Sequence, residues 1–225
     1  MHYRWLIFDA DNTLFDFDLA QTVALEQTFA MLGHGFEAEH HALYANVNTE
    51  LWEAFERGEL PQDAIKESRF ERLSERTGWD FDTAKVSSSY LTNLSKGQFL
   101  LDGALTLVKH LSQHHKLIIM TNGLKEVQRP RFESSPVSAY MQDILVSDEL
   151  GVAKPSAGIF DIAFERMGSP LRSEVLMIGD SLSSDIRGGV NYGLNTCWFN
   201  PGGKENRSGL EPTYEVASLD EIASL

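Results

Sequence analysis

The chain holds a single cysteine, Cys197, in 225 residues, so no disulfide can close within it. That fits a reducing compartment, and a cytoplasmic location is the expectation. Long apolar runs are missing too. None approaches the roughly 18 residues a membrane helix needs, and the N-terminus lacks a signal-like hydrophobic stretch. Basic residues are scarce, 19 Lys and Arg against 33 Asp and Glu, for a formal charge of −14. Duplex nucleic acid and anionic membrane surfaces both call for a basic face, so neither is an expected partner. The seven histidines show no zinc-ligand spacing, and there is neither an HExxH nor a GxSxG motif. Gly202-Gly203-Lys204 lacks the rest of a nucleotide P-loop. An acidic protein can still take a phosphate, provided a metal ion, a lysine or helix N-termini reverse the sign locally.

What is present is ordinary globular material, 42% hydrophobic and 23% charged, enough for one core with a smaller inserted domain. Trp5 to Phe8 is a short apolar run that reads as a buried strand. From Phe15 to about Gln98 the apolar spacing is helical, with segments near 37–56, 62–77 and 80–95 and no strand signal. Beyond that block, apolar runs at 117–120, 144–146, 175–178, 195–199 and 214–216 alternate with helical stretches. Alternation of this kind predicts an α/β fold, a Rossmann-like doubly wound parallel sheet. The expected division is a core of residues 1–14 and 99–225, with 15–98 as an inserted all-helical cap. An insertion so large at the first strand's end is a candidate lid.

Four groups fall at strand ends: Asp9 with Asp11, Thr121-Asn122-Gly123, Lys154-Pro155, and Gly179-Asp180 followed by Asp185. Each alone could be a turn, a helix cap or a strand stop. Together, each just beyond a successive strand, they suit one chemistry. Phosphoryl transfer to a carboxylate needs a nucleophile, a screening cation, donors for the phosphate oxygens and an acid for the leaving group. Asp9 can attack phosphorus. Asp11, expected to be crowded by other carboxylates, can protonate the leaving oxygen and then deprotonate the hydrolytic water. Asp9, Asp180 and a backbone oxygen at Asp11 offer hard ligands for Mg²⁺, with Asp185 holding one of its waters or orienting Lys154. The Thr121 hydroxyl, the amides of Asn122 and Gly123, and Lys154 are the phosphate-binding set.

The series DADNT, TNG, KP and GDSLSSD, with a helical insertion after the first, resembles the haloacid dehalogenase-like hydrolases over essentially the whole chain. The resemblance implies Asp9 as nucleophile, Asp11 as acid/base, Thr121 and Lys154 as the phosphate pair, and Asp180 with Asp185 as magnesium acids. Asp11 also points to the phosphatases, because the dehalogenases of this family lack an acid two residues after the nucleophile. Asn48, Leu51-Trp52, Phe55, Gly58 and Leu60, then Arg69-Phe70, together with Phe15-Asp16-Phe17, resemble the pyrimidine 5′-nucleotidases of the YjjG type. That likeness implies small substrates such as dUMP, dTMP and UMP. Phe15, Phe17, Asn48, Trp52 and Arg69 are then specificity candidates, with Phe55 and Phe70 as further aromatic surfaces for a planar base or as cap core. Arg69 reads equally as half of a helix-surface salt bridge. The stretch Arg131 to Val137 departs from the relatives' pattern and is expected to lie off the catalytic set. The rival readings are another small phosphate ester (a sugar phosphate, phosphoglycolate or FMN) and a non-catalytic phosphoacceptor module. Neither a nucleic-acid polymer nor a membrane is an expected partner, and oligomeric state is not legible.

Overall fold

Trp5–Phe8 is apolar at every position and buried at every position, and it forms an interior strand, β1. The computed structural model describes residues 3–225. β1 pairs in parallel with β2 (Lys116–Thr121) on one side and β4 (Val175–Gly179) on the other. With β3 (Met141–Val146), β5 (Asn195–Phe199) and β6 (Tyr214–Val216) the sheet is wholly parallel, in the order β3-β2-β1-β4-β5-β6. Interior parallel strands are covered on both faces, which is why β1, β2 and β4 read as continuous apolar runs rather than alternating ones.

The period of two then sorts each strand between two cores. Leu6, Phe8, Leu117, Ile119, Leu176 and Ile178 pack against α5 (Ala104–Leu111) and α10 (Leu219–Ser224). Trp5, Ile7, Ile118, Met120 and Met177 pack on the opposite face against α8 (Ala157–Arg166). A fully buried Leu or Ile contributes about 1.5–3 kcal/mol, so these two layers dominate the stability of this unit. β3 starts three residues earlier than the apolar run at 144–146 suggests. It is an edge strand, where polar Gln142 and Asp143 can face solvent while the backbone still pairs with β2.

The chain divides into two compact units, Met1–Phe17 with Gln98–Leu225, and Asp18–Gly97. The second is built from α1 (Phe17–Ala30), α2 (Ala38–Glu56), α3 (Ala64–Thr77) and α4 (Thr83–Leu94). Its interior holds an aromatic cluster in which Phe29 meets Phe36 at 4.6 Å, Trp79 at 5.5 Å and Phe81 at 5.5 Å between ring centres. No helix among the described residues is long and apolar enough to cross a membrane. The remaining helices are α6 (Lys125–Ser134), the single turn α7 (Ser147–Leu150) and α9 (Arg187–Tyr192).

Candidate active site

Asp9 is the first residue past β1, and its amide donates to the Ile178 carbonyl of β4 at 2.8 Å. Asp180 follows the end of β4 directly. Strand pairing alone therefore brings these two acids together, at the carboxyl edge of the sheet where the strand order reverses. Asp185 joins them from a π-helical turn, Leu182–Ile186, that precedes α9. One carboxylate oxygen from each of Asp9, Asp180 and Asp185 lies within 4.8 Å of the others.

Asp185 is held there by local geometry. Its Oδ2 accepts from the Ser181 amide at 3.0 Å. It also occupies the space a side chain on Gly179 would need, so only glycine can end β4 beneath it. The indole of Trp198 on β5 donates to the Asp180 carbonyl at 2.9 Å, fixing the loop from the other side.

Lys154 lies between α7 and α8 and is 2% exposed. Its ammonium meets Asp9 Oδ1 at 2.5 Å, Asp185 Oδ1 at 2.7 Å and the Met120 carbonyl at 2.7 Å. Burial alone would lower its proton affinity, but Asp185 and Asp9 outweigh that and hold it above the usual lysine range. Asn122 positions this lysine. Its side chain accepts from the Lys154 amide and donates to the Lys154 carbonyl, both at 2.9 Å, as a neighbouring strand would. Thr121 is 1% exposed, and its hydroxyl oxygen accepts from the Gly123 amide at 3.1 Å. That amide, expected to face phosphate, is therefore engaged with Thr121, whose hydroxyl, accepting here, keeps its own hydrogen to donate.

The acids are strained by one another. Burial pushes Asp9 well above the ordinary carboxylate range, Lys154 pulls it back, and Asp185 and Asp180 push it up again. Burial, with Asp185 beside it, raises Asp180 to about 7. Three hard oxygen donors whose mutual repulsion a cation would relieve are what a magnesium site requires. The residues present fit that ion.

Asp11 has partners that its expected crowding by acids did not include: it adds to the negative charge that raises Asp180, but Oδ1 receives Arg131 Nη1 at 2.7 Å and Oδ2 receives Gln128 Nε2 at 2.6 Å. Arg131 therefore belongs beside the catalytic set, contrary to its expected place off it. Neither partner was foreseen. The available signal was two polar residues three apart on a helix directly after Thr121-Asn122-Gly123. Phe15 is also corrected. It is 2% exposed with the Arg131 guanidinium 5.0 Å from its ring centre, so it packs in place and offers no open wall.

In the helical unit Arg69 is 2% exposed rather than at a surface, which removes the salt-bridge reading. Its guanidinium lies 4.8 Å from the Tyr90 ring centre and 5.6 Å from that of Phe70. Asn48 is 8% exposed and donates to Gln21 at 3.5 Å. Arg69 Nη2 and Asn48 Oδ1 are buried without a hydrogen-bond partner among the described residues. Trp52 and Phe55 pack partly buried against Val47, Leu51 and Ile65, whereas Phe70 is fully buried and Phe17 half-buried. Cys197 is buried in the sheet core, its thiol pushed up to about 12 by burial, as a packing residue should be.

Comparison with known proteins agrees with this geometry. The model of the haloacid dehalogenase-like hydrolases matches residues 3–193. The pyrimidine 5′-nucleotidase YjjG of Escherichia coli is 37% identical over 225 residues, covering 100% of this chain and 98% of its own. The pyrimidine 5′-nucleotidase PynA of Streptococcus pneumoniae is 33% identical, covering 99% and 94%. The magnesium-bound crystal structure of the HAD-hydrolase YfnB from Bacillus subtilis superposes with a TM-score of 0.94 at 37% identity, covering 99% and 97%. With Asp9, Thr121 and Asp180 at strand ends of such a sheet and Lys154 reaching Asp9 from the loop between α7 and α8, this chain is an enzyme and belongs to the haloacid dehalogenase-like hydrolases.

Proposed function

We propose that this hydrolase is a magnesium-dependent phosphomonoesterase that works through an aspartyl-phosphate on Asp9, with pyrimidine nucleoside 5′-monophosphates as substrates. One observation carries the chemical reading: Lys154 joins Asp9 to Asp185 within a cluster of three acids, at the sheet edge where ligands bind. The substrate reading rests on YjjG and PynA, both pyrimidine 5′-nucleotidases alike over nearly the full chain.

In the proposed reaction an Asp9 oxygen attacks phosphorus while the bond to the leaving oxygen breaks, and Asp11 gives that oxygen its proton. Asp11 then takes a proton from the water that attacks the phosphorus of phospho-Asp9. Inorganic phosphate leaves and both aspartates return to their first state. Lys154 and the Thr121 hydroxyl hold phosphate oxygens, and Asn122 keeps Lys154 in place. Asp9, Asp180 and the Asp11 backbone oxygen would hold Mg²⁺, with Asp185 beside it; the ion would supply charge stabilisation as phosphorus is attacked. In the helical unit Arg69, Asn48 and Trp52, with Phe17, are the proposed specificity residues. The support is that Arg69 Nη2 and Asn48 Oδ1 are buried and unpartnered, a cost that a ligand carbonyl facing the arginine and a ligand N–H facing the asparagine oxygen would relieve.

The test is a panel of monophosphates with and without Mg²⁺. Higher kcat/KM for dUMP or dTMP than for phosphoglycolate, sugar phosphates or FMN supports the substrate reading, and the reverse order refutes it. Asp9→Asn should remove turnover while the protein stays folded. Retained turnover would refute the nucleophile assignment, and stable phosphoprotein with no phosphate release would favour a phosphoacceptor role.

A further inference from the structure

One carboxyl group in this molecule is held more elaborately than a turn residue requires. Asp11 receives Arg131 on one oxygen at 2.7 Å and Gln128 on the other at 2.6 Å. Both donors come from one face of α6, three residues apart, and they are 0% and 3% exposed. The Arg131 guanidinium lies over the ring of Phe15, and Phe15 closes the loop that carries Asp11. The Phe15 amide donates to the Ala10 carbonyl at 2.9 Å, and its own carbonyl accepts from the Asn12 amide at 2.7 Å. Gly123 completes the arrangement. The space its side chain would fill is occupied by the Gln128 amide and Cγ, so glycine is what lets Gln128 reach Asp11.

We propose that Gln128 and Arg131 are positioning residues for Asp11, fixing the direction of its carboxyl group for both proton transfers of the reaction. The inference rests on the reading of Asp11 as the acid and base. The Arg131 guanidinium and the Gln128 amide nitrogen both donate to Asp11, and neither group titrates in the working range, so neither removes a proton from Asp11 or delivers one to the substrate. What they supply is direction. A proton-transfer group contributes about 10²–10⁴ in rate only when it lies within hydrogen-bond reach of its target, and about 1 Å of misplacement can cost on the order of a hundredfold. An unheld aspartate on a short loop turns between rotamers, and this one is held on both oxygens.

A purely structural ion pair would harm all substrates alike. A positioning role shows in the leaving group, because p-nitrophenolate departs without a proton and an alkoxide does not. The experiment compares kcat/KM for p-nitrophenyl phosphate with that for alkyl phosphate esters, in the wild type and in Gln128→Ala, Arg131→Met, Arg131→Lys and Asp11→Asn. Gln128→Ala and Arg131→Met should each lower the alkyl-to-aryl ratio about tenfold or more, in the same sense as Asp11→Asn. Arg131→Lys, which keeps the cation, should recover part of the ratio. If Asp11→Asn leaves the ratio unchanged, the acid/base reading of Asp11 fails and the inference falls with it. If Asp11→Asn shifts the ratio while Gln128→Ala and Arg131→Met do not, the positioning inference alone is overturned. Chemical denaturation of each variant separates loss of fold from loss of direction. Should Arg131→Met fail to fold, the smaller and uncharged change Gln128→Ala decides.

Discussion

Replacing Lys154 by methionine tests whether the ammonium is what keeps the acid cluster tolerable. Methionine matches the stem in volume, so the perturbation is the charge and its three contacts, at 2.5 Å, 2.7 Å and 2.7 Å. The side chain is 1% exposed, Asp185 likewise 1%, and Asp9 11%. Removing one member of so buried a group leaves the others uncompensated, a loss of about 3–5 kcal/mol. That is about two to nearly four powers of ten in the opening equilibrium. Hydrogen exchange at the β1 and β4 amides reads the sheet unit by itself and should lose protection by that factor. The deficit has a sign in pH. Burial already raises Asp9 and Lys154 is the chief group lowering it, so without Lys154 the carboxyl takes a proton more readily. The loss should be largest near pH 8, shrink towards about pH 5, and be partly recovered by Mg²⁺. Unchanged protection, or a deficit constant over that range, would refute the reasoning.

Asp180, raised to about 7, carries a proton in the metal-free fold that the unfolded chain has already released. Its stabilising contribution is complete below the ordinary carboxylate pKa and is lost as pH rises through about 7, where Mg²⁺ no longer has a proton to displace. Calorimetric Mg²⁺ affinity should therefore fall about 30-fold or more from about pH 8 to about pH 5.5, and equal affinities would contradict the site. Gly179→Ala sets a methyl group against the Asp185 carboxylate. It should cost about 1–3 kcal/mol in chemical denaturation and weaken Mg²⁺ binding, both absent if Asp185 is free to move. Arg69→Met should lower the ratio of kcat/KM for dUMP over ribose 5-phosphate about tenfold; an unchanged ratio removes Arg69 from the specificity set.

The sheet and the outline of the site were legible because three of the chemical residues, Asp9, Thr121 and Asp180, stand at the end of an apolar run. Phe8 to Asp9, Met120 to Thr121 and Gly179 to Asp180 mark the ends of interior strands without any tertiary information. The partners of those residues were not legible. Gln128 and Arg131 sit on a helix of low hydrophobicity, and which face of such a helix turns inward depends on what it packs against. Asn122 reads as a turn residue until Lys154, 32 positions later, is brought beside it. The surroundings of Asp11 were half legible for the same reason: nearness to Asp9 in sequence suggested acidic neighbours, and Asp180 is one, but the loop closed by Phe15 also turns its carboxyl towards two donors on α6. Arg69, on a helix rich in charge, looked like a surface residue and is an interior cation among aromatic rings.

The placement of Lys154 has an electrical consequence. Asp9, Asp180 and Asp185 ionised beside one ammonium leave two negative charges unbalanced, the complement of a single divalent ion. A pocket neutralised in this way presents no net repulsion to an arriving dianion. With a monovalent cation in its place one negative charge would remain, and the approach of a doubly charged ester would again be uphill.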